Sequence, residues 1–272
     1  MARLPVRVIL SLAIVSSLAG HRAAHAQSAG QPATVKVQST RDPVDKSYRK
    51  MIKGMERFAR AHALAPEAAL RFRLLPRMPA VDMSGITLRI AGDSLSIPVP
   101  VAPDNSFVLP RIDAALREDA AVVANRKTSS MTWRAQIVTP GLPPGTRRLG
   151  DLRLECLVGV EAGLVSNSSP LFGWIADALT TPEQVCNSPN GNYLFFAERP
   201  IFAVRLRAGS GPDARVDTLP FSMLYAGGEQ TRADLQYCDC QVMLDRTFYA
   251  PIWDSSWPDD TLVEFETMED AP

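Results

Sequence analysis

The chain has 272 residues, with 29 Lys and Arg against 29 Asp and Glu, three histidines and 22 prolines. A balance of charge without a basic stripe argues against nucleic-acid binding. So few histidines argue against histidine-rich zinc sites, and the prolines suit strands and loops better than a helical bundle.

Residues 1–26 read as a cleavable signal peptide. Arg3 and Arg7 precede an apolar run from Val8 to Ala19, interrupted by Ser11, Ser16 and Ser17, and the segment ends Ala24-His25-Ala26. The run is too short to span a bilayer, which needs about 20 residues. No later run qualifies, so the expectation is an exported protein, periplasmic or secreted, with no transmembrane helix in the mature chain. Cleavage before Gln27 takes away three of the 29 bases and no acid, leaving 246 residues with net charge −3 and His62 as the one histidine.

Residues 27–41, rich in Gln, Ser, Thr and Ala, read as a flexible leader. Residues 42–79 read as an amphipathic helix and linker. Asp42-Pro43 is a cap followed by proline at the first helical position. Tyr48, Met51, Ile52, Met55, Phe58, Ala59 and His62 then recur at helical spacing, opposite Lys46, Arg49, Lys50, Lys53, Arg57 and Arg60. Pro66 ends the pattern. This basic helix, 43–64, is a candidate for an anionic membrane surface; the favoured alternative packs its apolar face on the rest of the chain and leaves the basic face solvated.

From residue 80 to 272 the texture is that of a β-rich domain. Strands are expected at Ile86–Ile90, Leu95–Val101, Ser106–Leu109, Ala121–Ala124, Trp133–Val138, Leu152–Val160, Tyr193–Ala197, Ile201–Arg207, Ser222–Tyr225, Cys240–Leu244 and Leu262–Glu266. Short helices are expected at Ile112–Asp119 and Leu171–Leu179. Many short strands between turn residues predict a mainly β fold, an antiparallel sandwich or open barrel with one N-terminal amphipathic helix and one or two short helices.

One local resemblance is carried by Leu95–Pro110 (LSIPVPVAPDNSFVLP), with Asp104, Phe107 and Leu109 in place and Asn105-Ser106 where a glycine is usual. Gly141–Thr146 (GLPPGT) adds a familiar loop. Together they resemble carboxypeptidase-regulatory-like, transthyretin-type β-sandwich domains. The resemblance covers about one sixth of the chain and implies a non-catalytic accessory sandwich, with no site attached.

Four cysteines, Cys156, Cys186, Cys238 and Cys240, suggest two disulfides in an exported protein, and three connectivities are open. A Cys238–Cys240 bridge would close a small strained ring. The preferred expectation therefore has each of these two reaching back to Cys156 or Cys186, with Cys156–Cys186 as the alternative.

Catalysis through a histidine has only His62 available, on an apolar helical stripe. Ser47-Tyr48-Arg49-Lys50 matches Ser-x-x-Lys by chance, since its partner motifs are missing. Paired carboxylates remain, because glycoside hydrolysis needs only two acids. The segment Phe248–Asp260 (FYAPIWDSSWPDD) combines Tyr249, Trp253 and Trp257 with Asp254, Asp259 and Asp260, a composition suited to stacking on a sugar. The competing reading folds the tryptophans into the core. Residues 27–90 carry twelve bases and five acids and residues 229–272 two bases and eleven acids, so the two ends complement each other.

The favoured function is a non-catalytic binding or accessory protein of the cell envelope, its partner a glycan or another envelope component, without cofactor or metal. The alternatives are a carbohydrate-active enzyme using Asp254 with Asp259 or Asp260, and a membrane-surface protein acting through helix 43–64.

Overall fold

The computed structural model describes residues 43–127, 129–164, 181–189, 193–227 and 243–268. The chain enters as strand β1 (Pro43–Ser47), which pairs antiparallel with β6 (Ala121–Lys127). The helix predicted from Pro43 therefore starts later, as α1 (Tyr48–Ala61). Its cap is Ser47, whose hydroxyl accepts from the Lys50 N–H at 3.4 Å. The Ser-x-x-Lys pattern is thus a helix start. Asp42-Pro43 carries the same composition, but β6 offers a ladder partner there and tertiary pairing overrides the local preference. A short 3₁₀ turn, His62–Leu64, follows α1.

Strand β2 (Ala69–Pro76) occupies the stretch expected to be linker and pairs over its whole length with β7 (Met131–Val138); β5 (Ser106–Phe107) lies on its other edge. One face of this sheet carries Phe72, Leu74, Trp133, Ala135 and Ile137, all buried. A second sheet runs β1, β6, β3 (Leu88–Ala91) and β4 (Ser96–Val99). Strands β4 and β5 thus belong to different sheets, so Leu95–Pro110 is not a simple hairpin. Between them Asn105 adopts a left-handed φ of 62°, a conformation that asparagine tolerates better than most other residues with a side chain. The first short helix appears as α2 (Asp113–Arg117).

Helix α3 (Leu149–Glu161) overturns the expected strand Leu152–Val160. Leu152, Leu154, Cys156, Val158 and Val160 alternate as a strand would, but both sides of this helix are enclosed. A helix buried all round shows no 3.6-residue stripe. Leu154, Val158 and Ala162 join one core with α1, β2, β3, β6 and β7, while Leu149, Leu152 and Cys156 join a second. At the α1–α3 crossing Gly54 lies so close that a Cβ there would stand 2.6 Å from the Ala162 Cβ. The apolar face of α1 (Tyr48, Met51 and Ile52) is buried in the first core, which answers what that face packs against.

The second core is roofed by the sheet β11 (Arg215–Thr218), β10 (Ile201–Ala208), β13 (Leu262–Thr267) and β8 (Thr146–Arg148). Beside it β9 (Phe195–Phe196) pairs with β12 (Thr247–Phe248). Residues 221–223 form a 3₁₀ turn rather than the expected strand, with one bridge from Leu224 to Phe248. Helix α4 (Pro182–Cys186) is held to α3 by a disulfide between Cys156 and Cys186. The preferred connectivity is corrected by this bond. Its premise was the strain of a Cys238–Cys240 bridge; α3 and α4 instead bring the Cα atoms of Cys156 and Cys186 to 5.9 Å, where they join each other. Cys238, Cys240 and the expected helix Leu171–Leu179 lie outside the described residues.

Every named strand pairing is antiparallel, and the described residues form a mainly β, sandwich-like fold with no closed barrel. No helix among the described residues is long and apolar enough to cross a membrane.

Candidate functional site

The aromatic segment Phe248–Asp260 is a folded clasp. Phe248 is fully buried, with ring centroids 5.6 Å from Phe195 and 5.1 Å from Phe265. Trp257 is only 3% exposed, and the Arg215 guanidinium covers its ring at 3.6 Å. Trp253 and Tyr249 are half-buried, and burial pushes the Tyr249 phenol up. Asp254 accepts from the Ser256 N–H at 2.9 Å, and bonds from the Ser256 hydroxyl and N–H hold its carboxyl below the usual range.

Arg153, on α3, closes the clasp. It donates to the carbonyls of Ile252 (2.9 Å), Asp254 (2.8 Å) and Trp257 (2.9 Å) and pairs with the Asp259 carboxylate. Of the sugar-stacking candidates, Trp257 offers no free face to a ligand, and Asp254 and Asp259 are engaged in holding the turn. Asp260 is exposed. His62 is a packed residue: its Nε2 lies 3.0 Å from the Ala68 carbonyl and its ring leans on Phe58.

A different place gathers unsatisfied chemistry. Along β2, Arg71 and Arg73 alternate with buried Phe72 and Leu74, so both arginines stand on the face opposite the core. On β7 the same face carries Arg134 and Gln136, and the register sets Arg71 opposite Gln136 and Arg73 opposite Arg134. This face lines a half-open cavity of about 770 Å³, bordered by Pro140–Gly145, Arg147 of β8, Phe196–Arg199 and Phe265 of β13. Five arginines (71, 73, 134, 147 and 199) face it, against three carboxylates (Asp104, Glu155 and Glu198).

Most of these arginines have acceptors. Arg71 donates to the Ser106 hydroxyl at 2.8 Å, Arg73 to Glu198 at 2.6 Å, and Arg147 to Glu155 and the Ile137 carbonyl at 2.7 Å each. Arg134 is the exception. It is 4% exposed, and among the described residues none of its three guanidinium nitrogens meets an acceptor in hydrogen-bond geometry, although it acts on the neighbouring Tyr193 phenol. Its ring neighbours are Phe196, 4.4 Å below the guanidinium, and Tyr193 at 5.8 Å. Gln136 Oε1 and Arg147 Nε are likewise buried without a partner. A buried polar group left unbonded costs about 1–3 kcal/mol, and more when charged.

Glu155 sits behind this wall. Burial pushes its carboxyl up, against the opposing pull of Arg147 and Arg134. Burial also raises the Tyr193 phenol, partly offset by Arg134. The cavity rim is anchored at both ends. Thr139 gives its N–H (2.8 Å) and hydroxyl (2.7 Å) to the fully buried Asp151, while the Phe265 N–H donates to the Gly145 carbonyl at 2.8 Å. Gly141 and Gly145 take positive φ values of 78° and 68°, which the tight rim requires.

The sequence did not single out these arginines because Arg71 and Arg73 fall in a stretch that reads as linker, and Arg134 lies on an expected strand whose neighbour the sequence does not name. The available signal was two such strands, Arg71-x-Arg73 and Arg134-x-Gln136, each with its apolar residues on the other face. No protein-family model, curated protein or solved structure matches this chain, and the resemblance of Leu95–Pro110 stands on its own residues.

Proposed function

We propose that the chain is an exported, non-catalytic binding protein whose ligand presents an oxyanion to Arg134 in the cavity between β2–β7 and the 139–147 segment. The observation that carries this reading is the Arg134 guanidinium, buried in a cavity wall with no acceptor in hydrogen-bond geometry among the described residues. Arginine's planar fork suits a carboxylate or phosphate-type oxygen pair. Arg73 standing opposite Arg134 adds positive potential that such an anion would relieve.

Export is supported by residues 1–26 and fits the Cys156–Cys186 disulfide.

Thermal unfolding in chloride, acetate and phosphate at matched ionic strength tests the reading. Acetate or phosphate should raise the melting temperature of the wild type above its value in chloride, and Arg134→Gln should abolish that difference. Equal melting temperatures in all three salts for the wild type would sink the proposal.

A further inference from the structure

The lining of the cavity is divided by chemistry, and the division narrows the ligand. Beside the arginines stand Val138, Leu142, Pro143, Pro144, Phe196 and Phe265. Val138 is 37% exposed, and Pro143 and Pro144 are exposed with it, so apolar surface next to a buried cation is left uncovered. Phe196 covers one face of the Arg134 guanidinium. An acceptor can meet the fork only in its plane, which favours a planar, two-oxygen head group, and because the three nitrogens are themselves covered the side chain must turn toward the cavity to make that contact.

The charge of the lining limits that head group. Arg147 is matched by Glu155 and Arg73 by Glu198. Asp104 accepts from the Ser106 hydroxyl at 2.6 Å, and Arg71 and Arg73 both act on its carboxyl. Arg71 and Arg199 donate to the neutral Ser106 and Thr267 hydroxyls, so the five arginines exceed the three carboxylates by two; a carboxylate head answers Arg134, whereas a highly charged polyanion would also meet Asp104, Glu155 and Glu198.

Resting on the oxyanion reading, we infer that the cavity takes an amphiphilic monocarboxylate, its carboxylate on Arg134 and its apolar body against Val138, the 142–144 turn, Phe196 and Phe265. A cavity of about 770 Å³ lies within the range of roughly 300–1,000 Å³ that holds medium-sized organic ligands. The anchored rim, tied through Thr139 to Asp151 and through Gly145 to Phe265, keeps the apolar wall in place before the ligand arrives.

Calorimetric titration of the mature protein with acetate, octanoate and octanol tests both levels. Each buried methylene should strengthen binding about fourfold, so octanoate should bind at least tenfold tighter than acetate, with octanol weaker than octanoate. Arg134→Gln should lower octanoate affinity at least tenfold. Val138→Ser, at an exposed position where folding is not at risk, should lower it severalfold and leave acetate unchanged. Arg134→Lys, which keeps the charge and loses the fork, serves if the glutamine variant does not fold and should also weaken octanoate.

If acetate binds and octanoate binds no better, the amphiphile is wrong and the oxyanion site stands. If octanol equals octanoate, or neither carboxylate binds, the oxyanion reading falls with it.

Discussion

Arg73 and Arg134 stand directly opposite one another on the antiparallel strands β2 and β7, two guanidinium groups on the same sheet face. Like charges in that relation are unfavourable by a few tenths of a kcal/mol up to about 1 kcal/mol. Glu198 answers Arg73 from an exposed position, and an exposed pair contributes little. Arg73→Gln should therefore change the stability of the ligand-free protein by no more than about 0.5 kcal/mol while weakening anion binding. Urea unfolding with and without acetate separates the two effects. A loss beyond about 2 kcal/mol without anion would mean that Arg73 is a structural residue.

Arg153 organises the aromatic clasp through three carbonyls and Asp259. Removing it leaves those acceptors facing the hole, each at a cost of about 1–3 kcal/mol if water does not enter. Arg153→Met should destabilise by at least about 2 kcal/mol, and Arg153→Lys should recover little, because one ammonium cannot span four acceptors. Asp259→Asn should cost less than either. Equal losses for Asp259→Asn and Arg153→Met would show that the ion pair, and not the carbonyl bonds, carries the clasp.

The Cys156–Cys186 bridge closes a loop of 30 residues between α3 and α4. Chain entropy alone assigns such a loop roughly 3–4 kcal/mol at 25 °C. The double variant Cys156→Ser, Cys186→Ser should lose about that much in chemical denaturation. Peptide mapping of the unreduced protein should recover the two cysteines joined to each other. A peptide joining either one to Cys238 or Cys240 would overturn the connectivity.

Two groups of carboxylates give the pH profile opposite slopes. Glu155 is pushed up by burial, so the folded state holds its proton more tightly than the unfolded chain. Its contribution is present below the ordinary value of 4.5 and is lost as pH rises through its folded value. Asp104 is pulled down by the Ser106 hydroxyl and N–H, so its contribution is present above the ordinary 3.8 and is lost as pH falls through its folded value. Asp82, Glu118 and Asp254 are shifted in the same sense by serine bonds. Stability should peak on the weakly acidic side, as read by urea melts across the acid-to-neutral range. Glu155→Gln should flatten the limb above the peak and Asp104→Asn part of the limb below it; an unchanged profile in both variants would refute the assignment.

How far this was legible in the sequence differs from element to element. β3, β4, β6, β7, β10 and β13 announced themselves by β-branched, alternating runs between turn residues, and the antiparallel, mainly β fold follows from them. α1 was legible over Tyr48–Ala61 because its apolar face meets one core while Arg49, Lys50, Lys53 and Arg60 stay exposed on the other side. α3 was not, because a helix enclosed between two cores loses its stripe and keeps an accidental alternation. β2 was hidden for another reason: Arg71 and Arg73 break its apolar run and become intelligible only when β7 is set beside it. The aromatic clasp shows the converse. Its composition admits both a sugar-stacking surface and tryptophans folded into the core, because composition does not say which side of Trp257 faces inward, and Arg153, a hundred residues earlier in the chain, helps to decide that.

The central claim is that Arg134 awaits an oxyanion, and its own Nε–H reports on that most directly. In protein with ¹⁵N-labelled arginine side chains, the Nε–H resonance assigned through Arg134→Lys should shift saturably as acetate or octanoate is added. Arg49, exposed and paired with Asp119, should stay still. A resonance of Arg134 that does not move with either anion, while the protein remains folded, would contradict the account.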